Sequence, residues 1–113
     1  MAIKIITTPL YEQFVKTHRT VVIDFYAQWC GPCKLLEPIM EEISEIYTPR
    51  NVQFGKVDID LNQSLAAELG IKSIPTVIIY RHGKILTHFV GFKNKQEVQQ
   101  LIDPAIQPDI NHL

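Results

Sequence analysis

Two cysteines, Cys30 and Cys33, are the residues in this 113-residue chain best suited to covalent chemistry. Only two residues separate them, so a disulfide between them closes a very short loop and restricts the unfolded chain little. Residues three apart on a helical turn lie on the same side, within the Cα separation of about 4.4–6.8 Å that a disulfide allows. The spacing therefore favours a redox pair that opens and closes over a structural cross-link.

The pair is predicted to open a helix directly after a buried strand. Residues 20–27 form an apolar run interrupted only by Asp24, which is typical of a strand covered on both faces. Residues 30–47 carry apolar side chains at helical spacing. Because the first amides of a helix lack internal partners and the helix dipole is positive there, a thiolate on Cys30 is favoured. We therefore expect Cys30 to attack a disulfide and Cys33 to resolve the mixed disulfide.

The remaining elements alternate in the order β-α-β-α-β-α-β-β-α. Crossover helices imply parallel strand pairs, and a turn at residues 81–84 adds an antiparallel hairpin. The predicted fold class is α/β, with a central mixed five-stranded sheet flanked by four helices. We place one domain at residues 1–106 and a flexible C-terminal tail at residues 107–113. The other predicted strands are 3–7, 52–59, 76–80 and 85–90. The other helices are predicted to begin with Thr8, Asn62 and Asn94 as N-caps. Glu97 would complete a capping box with Asn94, and Ala105 would lie on the inward face of that last helix.

Composition and charge argue against several classes of function. The formal net charge is −1, whereas a protein that binds nucleic acid is expected to carry a basic excess. No apolar run approaches the roughly 18 residues of a membrane span, and the N-terminal segment becomes polar at Thr7, too early for a signal peptide. We therefore expect an intracellular protein that contacts neither nucleic acid nor membrane.

A metal site is the main alternative for the cysteine pair. A structural zinc ion needs four ligands, and no further cysteine is present. The four histidines, His18, His82, His88 and His112, show no ligand spacing relative to the pair. We therefore predict no bound metal.

Residues 24–34 resemble the active-site segment of the thioredoxin family; they read Asp-Phe-Tyr-Ala-Gln-Trp-Cys-Gly-Pro-Cys-Lys. The resemblance continues along nearly the whole chain, through Pro38 in the active-site helix, the third strand at 56–60 and the cis-proline segment at 74–76. It departs from many bacterial members at Tyr26 and Gln28, and the tail is somewhat longer. The resemblance implies the thioredoxin fold. Two late glycines also match the family, Gly83 and Gly91.

The resemblance also implies roles for individual residues. Cys30 is expected to be the exposed nucleophile and Cys33 the buried resolving cysteine. Asp24 is expected to exchange a proton with Cys33, consistent with the raised pKa of a carboxyl group within an apolar strand, and Lys56 is its expected partner on the neighbouring strand. A strand-end carboxylate without a role and a plain surface lysine remain the alternatives for these two residues.

A substrate groove beside the two sulfurs is implied as well. Pro75 is expected to be cis and to face the sulfurs, and the backbone of Ile74 is expected to pair with an extended substrate segment. The groove is completed by Trp29, Gly31, Pro32 and Gly91.

The function implied by the resemblance is protein-disulfide reduction by dithiol-disulfide exchange. Such a protein binds no cofactor and receives electrons from NADPH through thioredoxin reductase, its partner besides oxidised client proteins. We expect a cytoplasmic monomer. Gly31 and Pro32 favour a reductant over an oxidase or isomerase, whose relatives usually carry histidine between the cysteines. A glutaredoxin-like role is weaker because the glutathione-site pattern is absent, and a binding module remains open.

Overall fold

The sheet of the computed structural model, which describes residues 2–108, is built around the apolar run at residues 20–27. Strand β2 (Thr20–Tyr26) pairs in parallel with β3 (Val52–Asp58) and antiparallel with β4 (Thr76–Arg81). Strands β1 (Ile3–Ile5) and β5 (Lys84–Val90) form the two edges, which gives the order β1-β3-β2-β4-β5. The predicted mixed five-stranded sheet is confirmed.

Four helices cover the two faces of this sheet. They are α1 (Thr8–Lys16), α2 (Gly31–Tyr47), α3 (Gln63–Leu69) and α4 (Lys95–Ile102). One core layer joins the sheet to α2 and α4, and the other joins it to α1 and α3. Val22 of β2 packs under α2 and α4. Because every second side chain of a strand points to the same face, Asp24 also faces α2, the helix that carries Cys33.

Several predicted element ends are wrong by one or two residues. Strand β1 ends at Ile5, and α1 is preceded by Thr7 as N-cap where Thr8 was expected. The amide and hydroxyl of Thr8 donate to the side-chain oxygen of Asn62 at 2.8 and 3.0 Å, and the Asn62 amide group donates to the carbonyl of Asp58 at 2.9 Å. Asn62 therefore holds α1 to the end of β3, and its side chain does not cap α3 as predicted.

The turn and capping signals of the later elements are confirmed. The hairpin between β4 and β5 turns at His82 and Gly83, which have φ values of 54° and 78°. This conformation suits a two-residue hairpin turn. Asn94 accepts a hydrogen bond from the Glu97 amide at 2.9 Å, and the Glu97 carboxylate accepts one from the Asn94 amide at 3.0 Å. This reciprocal pair fixes the start of α4.

The C-terminal end of the described chain is hydrogen-bonded to the first residue of β2 and to the last residue of β4. Helix α4 ends at Ile102, and a 3₁₀ helix over Asp103–Ile106 carries the buried Ala105 that was expected on α4. The carbonyl of Ala105 accepts hydrogen bonds from Thr20 at 2.9 Å and from Arg81 at 2.7 Å. Of the predicted tail, residues 109–113 lie outside the described residues. Within residues 2–108, no helix has the length and apolar character needed to cross a membrane.

Candidate active site

The two cysteines are joined in a disulfide at the start of α2. Their Cα atoms lie 5.2 Å apart, within the range that the i,i+3 spacing predicts. Cys30 is the N-cap residue, and the amide of Cys33 donates to its Sγ at 3.2 Å. Pro32 lies in the first turn, where its missing N–H costs little. When the disulfide is reduced, this geometry directs a helix-terminal N–H at the sulfur of Cys30, which favours the thiolate.

Both sulfur-bearing residues are buried. The exposed fraction is 4% for Cys30 and 5% for Cys33, so the predicted contrast between an exposed and a buried cysteine is wrong for the disulfide form. Ala27 forms a buried cluster with both cysteines, and Ile74 from the loop before β4 packs against this cluster. The disulfide therefore lies beneath neighbouring side chains instead of projecting from the surface.

The loop before β4 lies against Cys30 and contains the predicted cis bond between Ile74 and Pro75. The carbonyl oxygen of Ile74 lies 3.8 Å from the Sγ of Cys30. The amide of Gly91 donates to the carbonyl of Pro75 at 2.8 Å, and the φ of Gly91 is 88°, a backbone conformation that favours glycine. Three predicted groove residues, Ile74, Pro75 and Gly91, are thus brought together beside Cys30.

Trp29, directly before Cys30 in the chain, is exposed. Its side chain is 68% exposed, yet its indole N–H donates to Oδ2 of Asp60 at 2.8 Å. The amide of Asp60 in turn donates to the Asp58 carboxylate at 2.9 Å. Sequence reasoning missed Asp60 as a site residue. The available signal was its place directly after β3, because that strand runs parallel to β2 and ends at the same edge of the sheet.

Asp24 is buried beneath α2 and carries an unpaired oxygen. It is 8% exposed, and its Oδ1 has no hydrogen-bond partner. Burial raises the pKa of Asp24 to about 7; the charge of Lys56 acts to lower it and that of Glu37 to raise it. A carboxyl group with this pKa can hold or release a proton near neutral pH.

Lys56 is the register partner of Asp24 across β2 and β3, as the resemblance implied. Its ammonium group, however, lies 4.0 Å from Oε2 of Glu37 and 5.5 Å from the centre of the Tyr26 ring. Glu37 was missed by sequence reasoning. The signal that could have found it is its spacing, since a residue four positions after Cys33 on a helix lies on the same face.

Asp24 and Cys33 line one cleft between α2 and the sheet. The cleft has a volume of about 300 Å³ and is large enough for several water molecules. Its wall also includes Lys56 and Glu37, so the buried carboxyl group is connected to the surface through polar groups. Across residues 2–108, no group of three or more His, Cys, Asp or Glu residues could hold a metal ion.

Comparison with known proteins gives a consistent family. The family model described as Thioredoxin matches residues 2–104. The chain is 43% identical to the thioredoxin of Mycoplasmoides gallisepticum over 80% of its own length and 89% of that protein. It is 38% identical to the thioredoxin of Chlamydia caviae over 89% of its own length and 96% of that protein.

Solved structures agree with the sequence comparison. The thioredoxin of Malassezia sympodialis superposes with a TM-score of 0.84 at 33% identity, over 93% of this chain and 91% of that one. The thioredoxin of Plasmodium falciparum superposes with a TM-score of 0.82 at 34% identity, over 89% of this chain and 97% of that one. With its cysteine pair at the head of α2, the chain belongs to the thioredoxin family of disulfide oxidoreductases.

Proposed function

We propose that Cys30 is the nucleophile of a protein-disulfide reductase and that Cys33 resolves its intermediate. The Cys30 thiolate attacks one sulfur of a client disulfide, so a Cys30–client bond forms and the other client sulfur leaves as a thiolate that takes up a proton. The observation that carries this assignment is the hydrogen bond from the Cys33 amide to the Cys30 sulfur at the start of α2. That donor and the helix dipole stabilise negative charge on Cys30.

Resolution of the mixed disulfide requires a base for Cys33. In this step the Cys33 thiol gives its proton to the Asp24 carboxylate, directly or through water in the cleft they share. The Cys33 sulfur then attacks Cys30, the Cys30–Cys33 bond forms, and the client leaves with its second sulfur as a thiolate. The client gains two electrons, which come from the two cysteines. A pKa of about 7 suits Asp24 to accept a proton at neutral pH and to lose it afterwards.

An extended client segment would bind beside Pro75. Pro75 has no backbone N–H, so the backbone polar groups of Ile74 provide the pairing edge, as in addition of a strand to a sheet. The exposed indole of Trp29, the residue before Cys30, would supply apolar contact. Gly31 and Gly91 add no side chain, and no atom lies within 4 Å of where a Cβ would be in either residue. A client backbone could therefore approach closely.

The oxidised form would be returned to the dithiol by thioredoxin reductase with electrons from NADPH. This chain would bind no cofactor of its own and would act as a cytoplasmic monomer toward oxidised client proteins. The Gly31-Pro32 pair between the cysteines supports a reducing role, since Pro32 stiffens the loop and limits its relaxation when the disulfide opens. Residues 1–106 would form the working domain.

A coupled assay tests this proposal. Reduction of insulin disulfides is followed by NADPH consumption in the presence of thioredoxin reductase, for the wild type, Cys30→Ser and Cys33→Ser. We expect turnover by the wild type and none by either variant. Retained turnover in Cys30→Ser would contradict the assignment of the nucleophile. A reduction potential well above that of cytosolic glutathione would instead support an oxidase.

A further inference from the structure

We propose that Glu37 is a positioning residue for the thiol-disulfide reaction. By pairing with Lys56 at the mouth of the cleft, Glu37 keeps that lysine away from Asp24. The buried carboxyl group of Asp24 can then carry a proton for Cys33. This inference rests on the proposed function of Asp24 as the proton acceptor. It adds a residue to the site and reverses the simplest expectation, in which Lys56 serves as the direct counter-ion of Asp24.

The geometry places Lys56 between two carboxylates. Its ammonium group lies 4.0 Å from Oε2 of Glu37, whereas no ion pair within 4.0 Å joins it to Asp24 in the described part of the chain. The Oδ1 atom of Asp24 has no hydrogen-bond partner, although Lys56 is its register neighbour. The Lys56 side chain is 23% exposed and that of Glu37 is 61% exposed, so the pair lies where the cleft opens to solvent. Lys56 is therefore directed outward, toward Glu37.

Lys56 and Glu37 are the two charged groups that shift the pKa of Asp24 after burial, and the other groups around it add little. On β4 its register partner is the apolar Val77. On β2 the Tyr26 ring lies under the Lys56 ammonium group, and burial together with nearby Asp58, Asp24 and Glu37 raises the pKa of the Tyr26 phenol. Helix α2 contributes Cys33 and Glu37 to the lining of the cleft, together with Lys34 and Glu41. The charge of Lys34 is not among those that shift the pKa of Asp24. Lys56 is thus the cation in direct register with Asp24, and its other contacts decide how strongly it acts.

The consequence is a specific effect on proton transfer. A lysine in direct contact with Asp24 would hold the carboxyl group ionised and weaken it as a base. With Lys56 paired to Glu37, the negative charge of Glu37 acts on Asp24 in the opposite direction to the lysine, and Asp24 can take the Cys33 proton and release it to the cleft. Glu37 touches neither sulfur in this account, and most of its effect on Asp24 depends on its pairing with Lys56.

The test is a double-mutant cycle read at Asp24 itself. The ¹³C resonance of the Asp24 carboxyl group is titrated in the oxidised wild type, Glu37→Gln, Lys56→Met and the double variant. Glu37→Gln keeps the side-chain shape and removes the charge. We expect it to lower the titration midpoint by about 1 pH unit, the scale of an opposite charge within about 4–6 Å. In the Lys56→Met background the same substitution should have at most half that effect, because the lysine is no longer there to be released.

Glu41→Gln is the matched control, because Glu41 lines the same cleft one helical turn further along α2. It removes the same charge without the Lys56 contact and should shift the midpoint less than half as far as Glu37→Gln. An unchanged midpoint in Glu37→Gln would overturn the inference. An equal shift with and without Lys56 would also overturn it, since the effect of Glu37 on Asp24 would then be independent of the lysine.

A second readout links the titration to the reaction. The pH dependence of client release from the mixed disulfide, measured in a single turnover, should have an acid limb that moves down with the Asp24 midpoint in Glu37→Gln. Insulin reduction is measured on the same preparations. If Cys30→Ser still reduces insulin, the proposed function fails. If Cys30→Ser is inactive and Glu37→Gln titrates like the wild type, only this inference fails.

Discussion

Replacing Asp24 with asparagine is expected to stabilise the protein at high pH and much less at low pH. The pKa of this carboxyl group is raised from its ordinary value of 3.8 to about 7, chiefly by burial. Below about pH 4 the group is protonated in both the folded and the unfolded chain, so ionisation does not affect stability there. Between about pH 4 and about pH 7 only the unfolded chain is ionised, and the free energy of unfolding falls by about 1.4 kcal/mol per pH unit.

The decrease in the free energy of unfolding levels off above the folded-state pKa. A rise of about 3 in pKa corresponds to about 4 kcal/mol. This is a large fraction of the free energy of unfolding of a typical domain, which is roughly 5–15 kcal/mol. Asp24→Asn cannot ionise, so its stability relative to the wild type should increase by up to about that amount between about pH 4 and about pH 8. Only the change with pH is predicted, because the asparagine amide also alters the hydrogen bonding in the cleft.

Unfolding of the oxidised protein in guanidinium chloride measures this difference at each pH. Glu45→Gln is the control, because Glu45 is an exposed carboxylate on α2 and its replacement changes the net charge equally. The free-energy difference between Glu45→Gln and the wild type should stay nearly constant with pH. A difference between Asp24→Asn and the wild type that is equally constant would refute the reasoning, since Asp24 would then titrate alike in the folded and unfolded chains.

Three further substitutions test other parts of the structure. Gly55→Ala should destabilise the fold by about 1–3 kcal/mol in denaturant unfolding, because its Cβ would lie 2.7 Å from a side-chain carbon of Ile6 in the core; a stability equal to the wild type would contradict this packing. Asn94→Ala removes the capping bond at the start of α4 and should cost about 1 kcal/mol in the same assay, with no effect if the cap is unimportant. Asp60→Ala removes the hydrogen-bond acceptor for the Trp29 indole, so the fluorescence anisotropy of this single tryptophan should fall. Client binding should weaken by about 1 kcal/mol, about fivefold. Unchanged anisotropy would show that the hydrogen bond does not hold the ring.

The fold could be predicted from the sequence because local patterns and tertiary structure agree. The apolar run at residues 20–27 becomes the central strand, and its alternation assigns Asp24 to the face under α2. Cys30 lies at the start of a helix because Gly31 and Pro32 suit a first turn, and the sequence reveals the redox pair for the same reason. These features depend on neighbours in the chain, which a sequence displays directly.

The features that could not be predicted depend on contacts between distant elements. Asn62 has the residue type of a helix cap, but Thr8 from another part of the chain occupies its side-chain oxygen. The resemblance implied Lys56 as the partner of Asp24, yet a carboxylate from α2 lies 4.0 Å from its ammonium group. The buried cluster that contains Cys30 packs against Ile74, 44 residues away. In each case the competing partner is set by packing, which periodicity and spacing do not specify.

The measurement that tests the central claim most directly is trapping of the client intermediate. Reduced Cys33→Ser is mixed with oxidised insulin, and the product is examined by non-reducing electrophoresis and by mass spectrometry of the linked peptides. The assignment of attack to Cys30 and resolution to Cys33 predicts a stable mixed disulfide on Cys30 that dithiothreitol releases, and no such adduct with Cys30→Ser. An adduct of equal yield on Cys33 in the Cys30→Ser variant would contradict the account.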